Sequence, residues 1–114
     1  MEKLTLDKAK EILHKHTTEE HLLIHAAAVS AAMGAMAEHF NADVDHWKAI
    51  GYLHDVDFEK FPAEHCQHVR ELLEPEGVSK DDIDTIISHG YGLTGSDVKP
   101  VTDCQKSLFA VDEL

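Results

Sequence analysis

The sequence has little cysteine and little positive charge. Cys66 and Cys104 are its only cysteines and they form no CxxC pair, which argues against a disulfide framework and a thiolate zinc knuckle. Ten Lys and Arg residues are outnumbered by 22 Asp and Glu residues, giving a formal net charge of −12. This charge argues against a nucleic-acid polymer or an anionic membrane as a partner. We find no signal peptide and no apolar run long enough to cross a bilayer, so the cytoplasm is the predicted location.

The length and composition predict one all-α domain over residues 1–114. Hydrophobic residues make up 43% of the chain and aromatic residues only 6%, which is typical of helices packed through Ala, Leu, Ile and Val. Apolar residues recur at helical spacing and predict a bundle of about five to six helices. The predicted segments are residues 4–16, 17–39, 44–55, 62–77 and 79–89, and a last helix that begins at residue 102.

Several side chains mark the predicted helix starts. Single N-caps are predicted at Thr5 and Ser79, and capping boxes are predicted for Thr17 with Glu20 and for Thr102 with Gln105. Gly51 lies inside the third helix, where glycine costs about 0.5–1 kcal/mol relative to alanine. Its presence there predicts close packing of this helix against a neighbour.

Ten histidines are dispersed along the chain, and their positions decide which of them could bind a ligand. His25 falls on the apolar stripe of the second helix, His54 and Asp55 end an apolar run, and His89 ends the fifth helix. His25 and the His54–Asp55 pair also have ordinary interpretations. His25 could be a hydrogen-bonded core residue, and His54 could be a favourable residue at a helix C-terminus beside a solvated Asp55.

Two further inward-facing candidates come from the fourth and last helices. His65 lies four residues before the apolar Val69 and is favoured over His68 as a ligand. Asp112 shares a helix face with Leu108, and a buried carboxylate there needs a partner. Imidazoles and carboxylates from several helices predict a common metal site, because a metal ion neutralises carboxylates and uses imidazole lone pairs. His and Asp ligands suit Fe, Mn, Co, Ni or Zn, with Mg as a further candidate.

These residues occur in the order H…HD…D, as His25, His54-Asp55 and Asp112, and this order resembles the HD-domain superfamily of metal-dependent phosphohydrolases. The segments 25–30, 51–55 and 110–112 resemble the parts of that family that carry the signature. The resemblance covers roughly residues 20–114 and implies an HD-domain-like helical bundle. It also implies that these four residues hold one ion, and that His65 and His89 add a second ion with Asp55 bridging both.

The resemblance implies hydrolysis of a phosphomonoester or phosphodiester, in a nucleotide or small phosphorylated metabolite, by a hydroxide that one or two divalent ions activate. Asp55 would orient the ions and the water, and Lys60 is the expected cation beside the phosphate. Many relatives carry Gly-Lys where this chain has Asp57 and Phe58. One alternative is a non-catalytic HD-like module that binds metal or nucleotide or acts in signalling. The other is a helical interaction domain with incidental histidines.

The end of the sequence leads to a further expectation. The chain ends two residues after Asp112, whereas relatives continue, so we expect a domain cut short at its C-terminus. Leu108, Phe109 and Leu114 would then be unshielded, which favours a homodimer.

Overall fold

The computed structural model describes residues 4–56, 58–60, 68–89, 100 and 102–112. Within these ranges the chain forms six helices and no strand, which confirms the predicted all-α class. The helices are α1 (Leu6–His16), α2 (Glu20–His39), α3 (Val44–Leu53), α4 (Val69–Leu73), α5 (Lys80–Ser88) and α6 (Asp103–Asp112), and a 3₁₀ turn (Glu74–Glu76) follows α4. The predicted start of the fourth helix at residue 62 lies outside the described residues.

The pairing of α2 with α3 is the centre of the fold. α3 also contacts α1 and α5, while α6 packs on α2 and α5, so most of the bundle is arranged around α3. Gly51 confirms the expected close approach, because a Cβ at this position would lie 3.1 Å from both the Cα of Ser30 and the carbonyl oxygen of Val29 on α2. The backbones of the two helices therefore approach each other directly at Gly51.

Three of the four predicted helix caps are confirmed by hydrogen bonds. The Thr5 hydroxyl accepts from the Lys8 backbone N–H, and the Ser79 hydroxyl accepts from the Asp82 N–H. The capping box of α6 is complete: the Thr102 hydroxyl accepts from the Gln105 N–H, and the Gln105 side chain accepts from the Thr102 N–H, both at 3.1 Å. These starts depend only on residues within one helical turn, which is why the sequence predicts them.

The predicted capping box of Thr17 with Glu20 is wrong. Thr17 instead ends α1, where its backbone N–H donates to the Leu13 carbonyl, and its buried hydroxyl forms no hydrogen bond within the described chain. Glu59 holds the residues just before α2: its Oε1 accepts from the backbone N–H groups of Glu19, the N-cap residue, at 2.6 Å and of Thr18 at 2.8 Å. These bonds to Glu19 and Thr18 lower the pKa of the Glu59 carboxyl.

The expected unshielded apolar surface at the end of the sequence needs correction. Leu108 is fully buried and Phe109 is half-buried, because α6 packs on α2 and α5. The expectation of an unshielded end is therefore wrong for Leu108, while Leu114 lies outside the described residues.

The expectation that no apolar run is long enough to cross a bilayer also needs correction. α2 is long and apolar enough to cross a membrane by length and composition, a test that core helices of soluble proteins also pass. Here Ala26, Val29 and Met33 of α2 are part of the buried core.

Candidate metal centre

The His54–Asp55 pair lies in the turn that follows α3. The third helix was predicted to reach Asp55 but ends at Leu53, and residues 54–56 form a turn. Neighbouring side chains on a regular helix point about 100° apart, so this early end lets both side chains face one point. His54 Nε2 lies 3.2 Å from Asp55 Oδ2. His54 is fully buried, whereas the Asp55 side chain keeps 18% of its surface exposed.

The rings of His54 and His89 are held by the same kind of hydrogen bond, at the ends of α3 and α5. The ring Nδ1–H of His54 donates to the Gly51 carbonyl at 2.6 Å, and that of His89 donates to the Ile86 carbonyl at 2.5 Å. Each carbonyl belongs to the residue three positions earlier, and it also accepts the backbone N–H of the same histidine. A carbonyl can only accept, so the bond places a proton on Nδ1. In the neutral ring, Nε2 then carries the free lone pair, which can bind a metal ion.

His25 brings the third ligand-type side chain from α2. Its Nε2 lies 3.1 Å from His54 Nε2 and 3.4 Å from Asp55 Oδ2. Its side chain is 41% exposed, so His25 lies at the edge of the apolar stripe and at the open side of the site. The structure thus brings His25, His54 and Asp55 together, with their ligand atoms within 4.8 Å of one another.

The three separations fit the ligand set of one divalent ion. Ligand atoms about 2.0–2.1 Å from an ion lie about 3.3 Å apart in a tetrahedron and about 3.0 Å apart in an octahedron. The observed separations of 3.1, 3.2 and 3.4 Å span this range. The chemistry of the donors agrees, because two imidazole nitrogens and a carboxylate oxygen converge on a point where a cation or a proton must separate them. His25, His54 and Asp55 therefore fit a bound metal ion.

His89 meets the other oxygen of Asp55. Its Nε2 lies 3.4 Å from Asp55 Oδ1, and the ring is buried. The two carboxylate oxygens of Asp55 are thus divided between two groups of histidines, with Oδ2 beside His25 and His54 and Oδ1 beside His89. This division is the geometry that a bridging carboxylate needs.

The other predicted site residues have different outcomes. His65 lies outside the described residues, and Asp112 is the last residue of α6, with its side chain outside the description. His68, the less favoured candidate, hydrogen-bonds to Glu71. The assignments of His65 and Asp112 as ligands stay predictions.

Lys60 lies beside α1. Its Nζ is 3.0 Å from Nδ1 of His16. Burial and the neighbouring Lys60 charge lower the pKa of His16, which keeps the imidazole neutral and able to accept from the ammonium. The assignment of Lys60 to a phosphate group stays a prediction, because its defined contact is with His16.

Glu59, which the sequence does not single out, ties the turn after Asp55 to the start of α2, the helix that carries His25. Its two backbone partners lie 40 and 41 residues earlier in the chain. Local spacing carries no signal for a pair so distant.

The fold and the site together define an all-α domain with a candidate metal centre of two histidines and an aspartate. The family model of the HD domain matches residues 22–114. The chain belongs to the HD domain family, as the order of His25, His54-Asp55 and Asp112 predicted. This places it in a superfamily of metal-dependent phosphohydrolases. No curated protein and no solved structure gives a significant match to the chain.

Proposed function

We propose that this protein is a metal-dependent phosphohydrolase that cleaves a phosphomonoester or phosphodiester of a nucleotide or small metabolite. The observation that carries the proposal is the convergence of His25, His54 and Asp55 from α2 and the turn after α3, with ligand atoms within 4.8 Å. The family match supports the same chemistry.

The proposed ligands divide into two sets. His25 Nε2, His54 Nε2 and Asp55 Oδ2 would hold one ion, with Asp112 as the expected fourth ligand. Asp55 Oδ1 and His89 Nε2 would hold a second ion, with His65 as its further ligand. A bound divalent ion would lower the pKa of a water ligand and offset charge on phosphoryl oxygens. A site of this kind suits an acidic chain, because the local cation can dominate the field that a phosphate meets.

The chain's own residues fix the orientation and the access of the site. The Gly51 and Ile86 carbonyls hold the rings of His54 and His89 with Nε2 directed at Asp55. Both rings are buried, so neither can turn towards solvent without disturbing the core. The side chains of His25 and Asp55 are partly exposed. A substrate would therefore approach the site from their side. We infer that the phosphoryl group enters over His25.

The first test is metal content per chain, measured by elemental analysis of protein purified without chelator or nickel affinity resin. We expect one or two ions per chain, and loss of bound metal in Asp55→Ala. Asp103→Ala is the matched control, because it removes an exposed carboxylate from the first turn of α6 and should leave the metal content unchanged. A chain without metal after reconstitution with Mn, Fe and Ni would contradict the proposal.

The second test separates turnover from binding. Metal-loaded protein should hydrolyse p-nitrophenyl phosphate or bis(p-nitrophenyl) phosphate, and Asp55→Ala should abolish that activity while Asp103→Ala retains it. One observation favours a second candidate, a non-catalytic HD-like module that binds metal or nucleotide: Lys60, the expected phosphate contact, is hydrogen-bonded to His16. Full metal content without hydrolysis across a panel of phosphate esters would support the module.

A further inference from the structure

A second site is suggested by a cavity on the side of α2 that faces away from His25. The cavity has a volume of about 180 Å³. Ala27 and Ala31, which line it, lie about 200° and 240° around the helix axis from His25 at 100° per residue. The cavity is therefore separate from the metal centre. Its walls come from α1 (Leu6, Lys10), α2 (Ala27, Ala31) and α3 (Lys48, Tyr52).

The walls of the cavity are mainly apolar, and their hydroxyl groups already have partners. Leu6, Ala27 and Ala31 present only aliphatic groups. The Tyr52 hydroxyl lies 3.2 Å from His14 Nε2, and the hydroxyl of Ser30, a further lining residue, donates to the Lys48 carbonyl at 2.9 Å. Among these side chains, the two lysines therefore supply the polar groups that a ligand can still engage.

Lys10 and Lys48 are cations without an acidic partner in the described part of the chain. Lys15 pairs with Glu76 at 3.0 Å and Arg70 pairs with Asp84 at 2.6 Å. Lys60, Lys80 and Lys106 also lack an acidic partner there, but Lys10 and Lys48 differ from them in lining one cavity. In a chain with a net charge of −12, acidic partners are plentiful. Two unpaired lysines on one cavity are therefore an electrostatic feature that an anion would complement.

We propose that this cavity binds a small organic anion, with a carboxylate or phosphate group between Lys10 and Lys48 and an apolar body against Ala27 and Ala31. The volume sets the size of the ligand. An apolar cavity of about 150 Å³ holds benzene, so a single-ring or short-chain anion fits a space of 180 Å³. The site is independent of the metal centre and of the function proposed for it.

The test is a titration of ¹⁵N-labelled protein with sodium benzoate at constant ionic strength, followed through the amide resonances of Ala27, Ala31 and Tyr52. EDTA in the buffer keeps carboxylate from binding an ion at His25. We expect saturable shifts with a Kd of about 1 mM or lower. Benzyl alcohol, which lacks the charge, and inorganic phosphate, which lacks the ring, should each bind at least tenfold more weakly.

The variants Lys10→Met and Lys48→Met keep most of the aliphatic stem and remove the charge. Combined, they should weaken benzoate binding at least tenfold while the remaining amide spectrum stays that of the folded protein. Lys106→Met is the matched control, because Lys106 is an exposed lysine of α6 and its removal should leave the affinity unchanged. Unsaturable shifts, equal affinity in the double variant, or equal affinity for benzyl alcohol or phosphate would overturn the proposal.

Discussion

Replacing Gly51 by alanine should destabilise the protein and weaken metal binding together. A Cβ at this position would lie 2.9 Å from Met33 Cγ and 3.1 Å from two backbone atoms of α2, the Ser30 Cα and the Val29 carbonyl oxygen. Met33 can change its rotamer, but the backbone atoms cannot yield without moving α2 away from α3. The substitution therefore has to push the two central helices apart.

The expected magnitude follows from two opposing effects. Overpacking a close-packed interface costs about 1–3 kcal/mol, and alanine recovers about 0.8–1 kcal/mol of helix propensity relative to glycine. Because backbone atoms form part of the obstacle, the upper half of the overpacking range applies. We therefore expect Gly51→Ala to lower the free energy of unfolding by about 1–2 kcal/mol, which corresponds to a fall in Tm of roughly 4–8 °C.

Gly34→Ala is the matched control, since it makes the same change on α2. The three atoms nearest to its Cβ would all belong to the flexible side chain of Lys48, with Cε at 2.6 Å. The lysine can move aside, so the propensity gain should remain and leave this variant as stable as the parent or up to about 1 kcal/mol more stable. Thermal unfolding of the two variants by circular dichroism measures the difference.

The metal centre supplies the second readout for Gly51→Ala. The Gly51 carbonyl holds the His54 ring, and supporting contacts of this kind are worth about 10–100-fold in metal affinity. We expect at least a tenfold weaker metal affinity in Gly51→Ala and no change in Gly34→Ala. If Gly51→Ala were as stable as Gly34→Ala and bound metal equally well, the reasoning from close helix approach would be refuted.

Three further predictions concern pH, thiol reactivity and a turn. The pKa values of Glu59 and Glu76 are lowered below the ordinary 4.5 by backbone N–H groups and by Lys15, respectively, so the stability they give is present above pH 4.5 and is lost as the pH falls below it. Urea unfolding over this pH range should show a shallower loss in Glu59→Gln, and an unchanged slope would contradict the role of Glu59. Burial raises the pKa of Cys104 to about 12, so in a Cys66→Ser background the folded protein should react with a thiol reagent at pH 8 at least about a hundredfold more slowly than the unfolded chain. Fast labelling of folded protein would exclude a protonated, buried thiol. Asn41 has a φ of 56°, so Asn41→Ala should lower the free energy of unfolding by about 1 kcal/mol whereas Asn41→Gly stays near neutral, and equal thermal stability of the two variants would contradict this.

The sequence predicts those features that depend on nearby residues. The caps of α1, α5 and α6 each join residues three positions apart, and the position of Gly51 inside a helical pattern predicts close packing. The meeting of His25 with His54 and Asp55 is also predicted, because metal-ligand residue types recur on buried or half-buried helical positions and match the order of a known family. The sequence therefore indicates the site both by the chemical type of these residues and by their spacing along the helices.

What the sequence does not predict depends on contacts between distant segments. The end of α3 at Leu53, ahead of the expected Asp55, is followed by the turn that presents the ligand pair. Glu59 binds the N-cap residue of α2 from 40 residues away, so the nearby Thr17 was the better candidate on local grounds. Lys60 contacts His16 of α1, a pairing decided by how α1 lies against the turn after Asp55.

Gly51 connects the stability of the fold with the geometry of the metal centre. Its missing side chain lets α3 reach the α2 backbone at Val29 and Ser30, about one turn beyond His25. Its carbonyl, about one turn before His54, receives the Nδ1–H of that ring. The close contact of the two helices therefore lies within about one and a half helical turns of a ligand on each side, and we expect it to influence the 3.1 Å separation of the two Nε2 atoms. A larger residue at position 51 should change this separation even though it contacts neither ring.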